Sequence, residues 1–176
     1  MDSTTVELQN NITKKMLKVL MFAIVPLVIL LIISLTTHSS SLMDELEELF
    51  HNLPNVVSSH NILLSVSMGA YVKTAPVIAI LFFIYFNKHM TVKKDVSESS
   101  LILSLLIYYV FYAVIFYFSI LTYHDIAKAG RVIRLFSEND FLLTVFYIAL
   151  YSSVYILTVM LLWFSVGVFK EFKRRG

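Results

Sequence analysis

The chain has 176 residues, of which 58% are apolar and 15% charged, and its formal charge is +2. A soluble domain carries about a quarter charged residues, so an ordinary soluble fold is excluded. So small a net charge gives no ground for a nucleic-acid surface, and the absence of cysteine rules out disulfides, thiolate metal sites and cysteine nucleophiles. The expectation is an all-α integral membrane protein.

The first apolar run, Val19 to Thr36 (VLMFAIVPLVILLIISLT), contains no charged residue. Lys14, Lys15 and Lys18 precede it as they would in a signal peptide, but no small-x-small cleavage pattern follows, so it reads as an uncleaved span. Next comes SLMDELEELFHNLPN, in which Leu42, Leu46, Leu49 and Leu53 recur at helical spacing and Asp44, Glu45, Glu47 and Glu48 take the other face. Ser41 can cap its start and Pro54 ends it. The pattern predicts a short amphipathic helix over about 41–53, lying at the membrane boundary or plugging the end of the bundle.

The second span is less obvious. Thr74 to Phe86 is free of charge but too short to cross, because a bilayer takes roughly 20 residues. A helix over 64–86 is long enough provided that it carries Lys73. Lys73 then lies about 20 Å up from the inner end of that helix, where its ammonium either meets a carboxylate or backbone carbonyls or simply anchors a tilted helix. Pro76 should bend or loosen the helix beside it. Ala75 and Ala79 form a small-xxx-small pair that lets another helix approach closely.

The third and fourth spans read as 101–123 and 141–169. Tyr108, Tyr112 and Phe116 lie four apart on the third, and Tyr147, Tyr151 and Tyr155 do the same on the fourth. In hydrocarbon each hydroxyl needs a partner, so these stripes face other helices, either within the bundle or on a second protein. Between the two spans, HDIAKAGRVIRLFSEND places Arg131 and Arg134 on one helical face, with Gly130 allowing a turn before them. That loop is either a charged recognition surface or a solvated loop with local ion pairs.

With four spans, ten cations fall on one side: Lys14, Lys15, Lys18, Lys88, Lys93, Lys94, Lys170, Lys173, Arg174 and Arg175. Lys73, Lys128, Arg131 and Arg134 remain for the other. The positive-inside rule therefore predicts a single four-helix membrane domain over 1–176 with both termini cytoplasmic and two periplasmic loops. Trp163 suits an interfacial anchor near the inner end of the last span.

Catalytic chemistry is missing from the sequence. The predicted spans hold no aspartate, glutamate or histidine, and no glycine-rich phosphate loop, HExxH or GxSxG pattern occurs. No catalytic residue, metal site or cofactor is expected. A small transporter or an accessory subunit of a membrane complex stays open as a reading, though proton coupling would want a buried carboxylate.

HNLPNVVSSHN, YVKTAPVIAI, AGRVIRL and FYIALYS follow one another in an order and spacing that resemble the membrane immunity proteins of the colicin A type. The resemblance runs from about Asn52 to the C-terminus and is weaker in the first span. It implies four inner-membrane spans and a partner, the pore-forming colicin, whose hydrophobic helical hairpin is bound in the bilayer so that the channel does not open. Carried over by position, the family pattern falls on Leu53-Pro54, Lys73-Thr74-Ala75-Pro76, Ala129-Gly130-Arg131 and Arg134-Leu135. Val132 stands where a close relative carries proline, and Lys128 replaces a threonine, which bears on the choice of colicin. The candidate toxin-binding residues are thus Lys73, Thr74, Ala75, Pro76, Ala79, Tyr108, Tyr112, Gly130, Arg131, Arg134, Tyr147 and Tyr151.

Overall fold

The computed structural model describes residues 3–36, 45, 48, 56–87 and 98–175. Four helices are long and apolar enough to cross a membrane: Asn10–Thr36, Ile62–Phe86, Ser99–Leu121 and Asp140–Lys173. The first lies within α1 (Ser3–Thr36). The second is made of α2 (Ile62–Val72) and α3 (Ala75–Phe86). The third is α4 (Glu98–Phe116), which continues as a π-helical turn over Tyr117–Leu121. A short α5 (Arg131–Ser137) precedes the last helix, α6 (Asp140–Arg175). The amphipathic helix expected over 41–53 falls outside the described residues except for Glu45 and Glu48, which are helical and exposed.

Successive spans run in opposite directions. The end of α1, the start of α2, the end of α4 and the start of α6 meet at one end, here called the capped end. Two short strands, β1 (Val56–Val57) and β2 (His124–Asp125), pair there in parallel, with Val56 opposite His124 and Val57 opposite Asp125. At the other end, Lys15 of α1 sits over the Phe86 ring at 5.3 Å from its centroid. α1 and α6 have 34 and 36 residues, hence lengths of about 50 Å against a hydrocarbon core of about 30 Å. Both therefore extend past the span at the end that holds the termini.

α6 is the axis of the bundle and packs against α1, α2, α3, α4 and α5. Its inward face reads Leu143, Tyr147, Tyr151, Val154, Tyr155 and Val159, which recur with the helical period and are all buried. Against it lie Leu27 of α1, Leu64 and Met68 of α2, and Ala75 and Ala79 of α3. The two alanines are fully buried, so α3 comes close to its neighbour without a void. α4 differs. Its main helix contact is α6, and most of its apolar side chains, from Ile102 to Leu121, remain exposed.

Hydroxyl groups hold α4 in place. The Tyr112 hydroxyl lies 2.9 Å from Thr158 Oγ1, whose own proton goes to the Val154 carbonyl at 2.7 Å, so Tyr112 is the donor. One turn further along, Tyr109 donates in the same way to Ser165, whose hydroxyl bonds the Leu161 carbonyl. Tyr108 donates to the Leu157 carbonyl at 3.3 Å.

Candidate functional site

The capped end is built as one piece from two loops distant in sequence. Beside the strand pair, the Ser58 hydroxyl, fully buried, donates to the Ser137 carbonyl at 3.2 Å, and the Tyr147 hydroxyl donates to the Val56 carbonyl. Asp125 is one hub: its carboxylate accepts from the backbone N–H of Ala127 at 3.0 Å and of Ser59 at 3.4 Å, and pairs with Lys128 at 3.4 Å. Asn61 is the other. Its Oδ1 caps α2 by accepting from the Leu64 N–H at 3.1 Å, while its Nδ2 donates to Asp140 at 3.0 Å and approaches Ser34 at 3.5 Å. The amide fits in this orientation alone, because a carboxylate needs a donor and an N–H an acceptor.

An open cleft of about 490 Å³ lies under this lattice. Phe118, Ile126, Ile133, Phe146 and Leu150 form apolar walls, with His124, Asp125 and Lys128 as polar groups. Phe118 stacks on His124 at 5.7 Å. Beside it α5 presents Arg131 to solvent together with Val132, which is 70% exposed. Arg134 pairs with Glu138 at 3.6 Å, but both are about half exposed, so the pair contributes little. Gly130 caps α5 at φ −58 and ψ 158. An L-residue adopts that backbone freely, so the turn does not require glycine here.

Lys73 and Thr74 form the break in the second span. Helical i→i−4 bonding gives way to Lys73 N–H to Ala70 carbonyl at 3.2 Å and Thr74 N–H to Tyr71 carbonyl at 2.9 Å. Pro76 explains the break, since it brings no N–H to the Val72 carbonyl. The break falls at the middle of a 25-residue span, about 17 Å along the helix from its first residue. Tyr71 bonds the Ala23 carbonyl of α1 at 2.8 Å and stacks on Tyr151 at 5.3 Å, and so ties the break to both neighbours.

The predicted residues thus divide into two groups. Ala75, Ala79, Tyr147 and Tyr151 are fully buried inside the bundle, and Tyr108 and Tyr112 spend their hydroxyls on α6. Lys73, Thr74 and Pro76 are half-buried at the break, and Gly130, Arg131 and Arg134 are exposed at the capped end. Trp163 departs from its expected role: its indole N–H is buried without an acceptor, so its polar tip does not face water. Asn61, Asp125 and Ser58 were not among the candidates. A cap signal before an apolar run marks Asn61 in the sequence, but nothing local marks a strand pairing across 68 positions.

Four apolar helices, a hydroxyl-bonded interior and no group of residues able to hold a metal among the described residues define a helical membrane protein with a polar cap at one end. The family model "Colicin immunity protein" matches residues 39–176, and the chain belongs to that family. It is 30% identical over 156 residues to the colicin-A immunity protein of Citrobacter freundii, covering 89% of this chain and 88% of the relative. It is also 30% identical over 152 residues to the colicin-B immunity protein of Escherichia coli, covering 86% and 87%. No solved structure matches.

Proposed function

We propose that this chain protects the bacterium carrying it by binding the pore-forming domain of a matching colicin in the cytoplasmic membrane and keeping its channel closed. Likeness along nearly nine-tenths of the chain to the colicin-A and colicin-B immunity proteins carries the reading. Four membrane-length helices agree with an encounter inside the bilayer rather than in solution. The cation distribution supports both termini in the cytoplasm, with the capped end facing the periplasm, from which a toxin arrives. The partner is bound, not chemically altered: the mechanism is occlusion.

Recognition in lipid cannot draw on the hydrophobic effect, because acyl chains are as apolar as the toxin helices. It must rest on shape, on close contacts and on polar groups that the bundle has not used internally. The exposed arginines of α5 and the break at Lys73 remain for this, whereas the buried tyrosines build the scaffold.

The test is expression of the chain in sensitive bacteria, challenged with a panel of colicins while killing and potassium efflux are followed. Protection against one pore former and its near relatives, with none against nuclease colicins, is the expected result. Failure to protect against any pore former overturns the proposal.

A further inference from the structure

The second span carries a cation at its midpoint, and the described residues supply no counter-ion. Lys73 is half-buried, and among the described residues no carboxylate comes within ion-pairing distance of its ammonium. Three acids of the capped end are engaged elsewhere: Asp125 with Lys128, Glu138 with Arg134, Asp140 with Asn61. An ionisable group inside a span normally faces the bundle and pairs there. Lys73 does not.

α3 continues from this residue with two unlike faces. Ala75, Ala79 and Phe82 are buried in the bundle. Val77, Ile80 and Ile84, at four, seven and eleven residues after Lys73, are 57%, 43% and 62% exposed. One side of the helix is thus finished, and the other is an apolar stripe headed by a lone charge. A charge inside a span is costly unless it is partnered. Lys73 lies about 17 Å along the helix from the start of α2 and about 20 Å from the end of α3, near the middle of the span.

We propose that this stripe is where a membrane-inserted apolar helix of the toxin lies along α3, with a carboxylate of that helix paired to Lys73. The inference rests on the colicin-binding reading and supplies its contact. Charge complementarity selects the occupant: in low dielectric an ammonium favours a partner that brings an anion, and an apolar helix covers the stripe below it. A toxin lacking the carboxylate would leave Lys73 buried and unpaired, so the same pair discriminates between related toxins.

The experiment uses the full chain in sensitive bacteria and the colicin that it blocks, with all variants compared at equal amounts in the membrane. Lys73→Met keeps an unbranched side chain only one atom shorter and removes the charge. It should lower the tolerated toxin dose roughly thirty-fold, as expected for truncating one member of a desolvated pair. Lys73→Arg should protect nearly as well as the wild type. Lys73→Glu should fail, and changing one acidic residue of the toxin's membrane helices to lysine should restore it. Independently of any variant that inserts poorly, a benzophenone side chain placed at Ile80 should cross-link to the toxin.

Undiminished protection by Lys73→Met, or an Ile80 probe that captures lipid but no toxin in protected cells, overturns the inference and leaves Lys73 as a lipid-phosphate anchor. In both cases the wild-type chain still protects, so the immunity reading survives. A wild type that protects against no pore former sinks both.

Discussion

Asn61 joins three elements, and its replacement by alanine is expected to cost about 2 kcal/mol. The loss of the Oδ1 bond to the Leu64 N–H is the loss of a helix cap, about 1 kcal/mol. The Nδ2 bond to Asp140 involves a charged acceptor, but the site is only half-buried, so about 1 kcal/mol is taken for it. The contact with Ser34, at 3.5 Å, is too long to add much. Asn61→Asp separates the terms: the cap acceptor survives, while the donor to Asp140 is replaced by a second carboxylate. At pH 7 this variant should be at least as unstable as Asn61→Ala. Acidification that protonates either carboxylate removes the repulsion, so Asn61→Asp should gain stability relative to Asn61→Ala as the pH falls. Unfolding of the detergent-solubilised protein by SDS titration, repeated across pH, measures both effects. A cost below about 0.5 kcal/mol for alanine, or an aspartate variant equal to the wild type at pH 7, refutes the reasoning.

Two further expectations concern the third helix and the topology. Tyr112→Phe and Thr158→Val should each destabilise the bundle by about 0.6 kcal/mol and at most about 2, and a double-mutant cycle should show coupling, since the two hydroxyls bond each other. Independent effects in that cycle would mean that α4 is held by packing alone. For topology, Val132→Cys, at an exposed position of α5, should react with an impermeant thiol reagent added outside intact cells, and Lys173→Cys should not. Ser137 is a poor reporter in the same loop, because it is 1% exposed. Labelling of Lys173→Cys from outside would reject the cytoplasmic C-terminus.

The bundle was legible in the sequence because a membrane span is a local property. Charge-free runs mark where a helix can sit, and the repeat of Tyr147, Tyr151 and Tyr155 marks its inner face. Pro76 showed where the second span would yield, since the missing N–H is written in the residue itself. The capped end was not legible. Val56 meets His124, and Ser58 meets Ser137, through pairings that depend on how four helices bring distant loops together. Arg131 and Arg134 were visible as charges, but their exposure beside an apolar cleft follows from α5 docking on α6. Nor did the sequence show that α6 would be the axis of the bundle and α4 its outlier, because both are equally apolar strings.

The tyrosine stripe of α6 contains a pair that should respond in opposite ways to the same substitution. Tyr147 and Tyr151 are one turn apart and both fully buried. Tyr147 donates its hydroxyl proton to the Val56 carbonyl and so ties the last helix to the strand pair. Tyr147→Phe removes that bond inside the protein and should cost about 1–2 kcal/mol. The Tyr151 hydroxyl has Tyr71 and Thr74 beside it, yet it forms no hydrogen bond of acceptable geometry. The protons of those two neighbours are committed to the carbonyls of Ala23 and Tyr71. A phenylalanine at 151 keeps the stack on the Tyr71 ring and removes a buried polar group without a partner, so stability should hold or rise by up to about 1 kcal/mol. SDS titration of the two variants side by side decides between these signs. Equal losses would mean that Tyr151 has a partner within the bundle after all. Unchanged stability combined with lost protection against the colicin would have a different meaning: the hydroxyl beside the helix break is kept for the toxin.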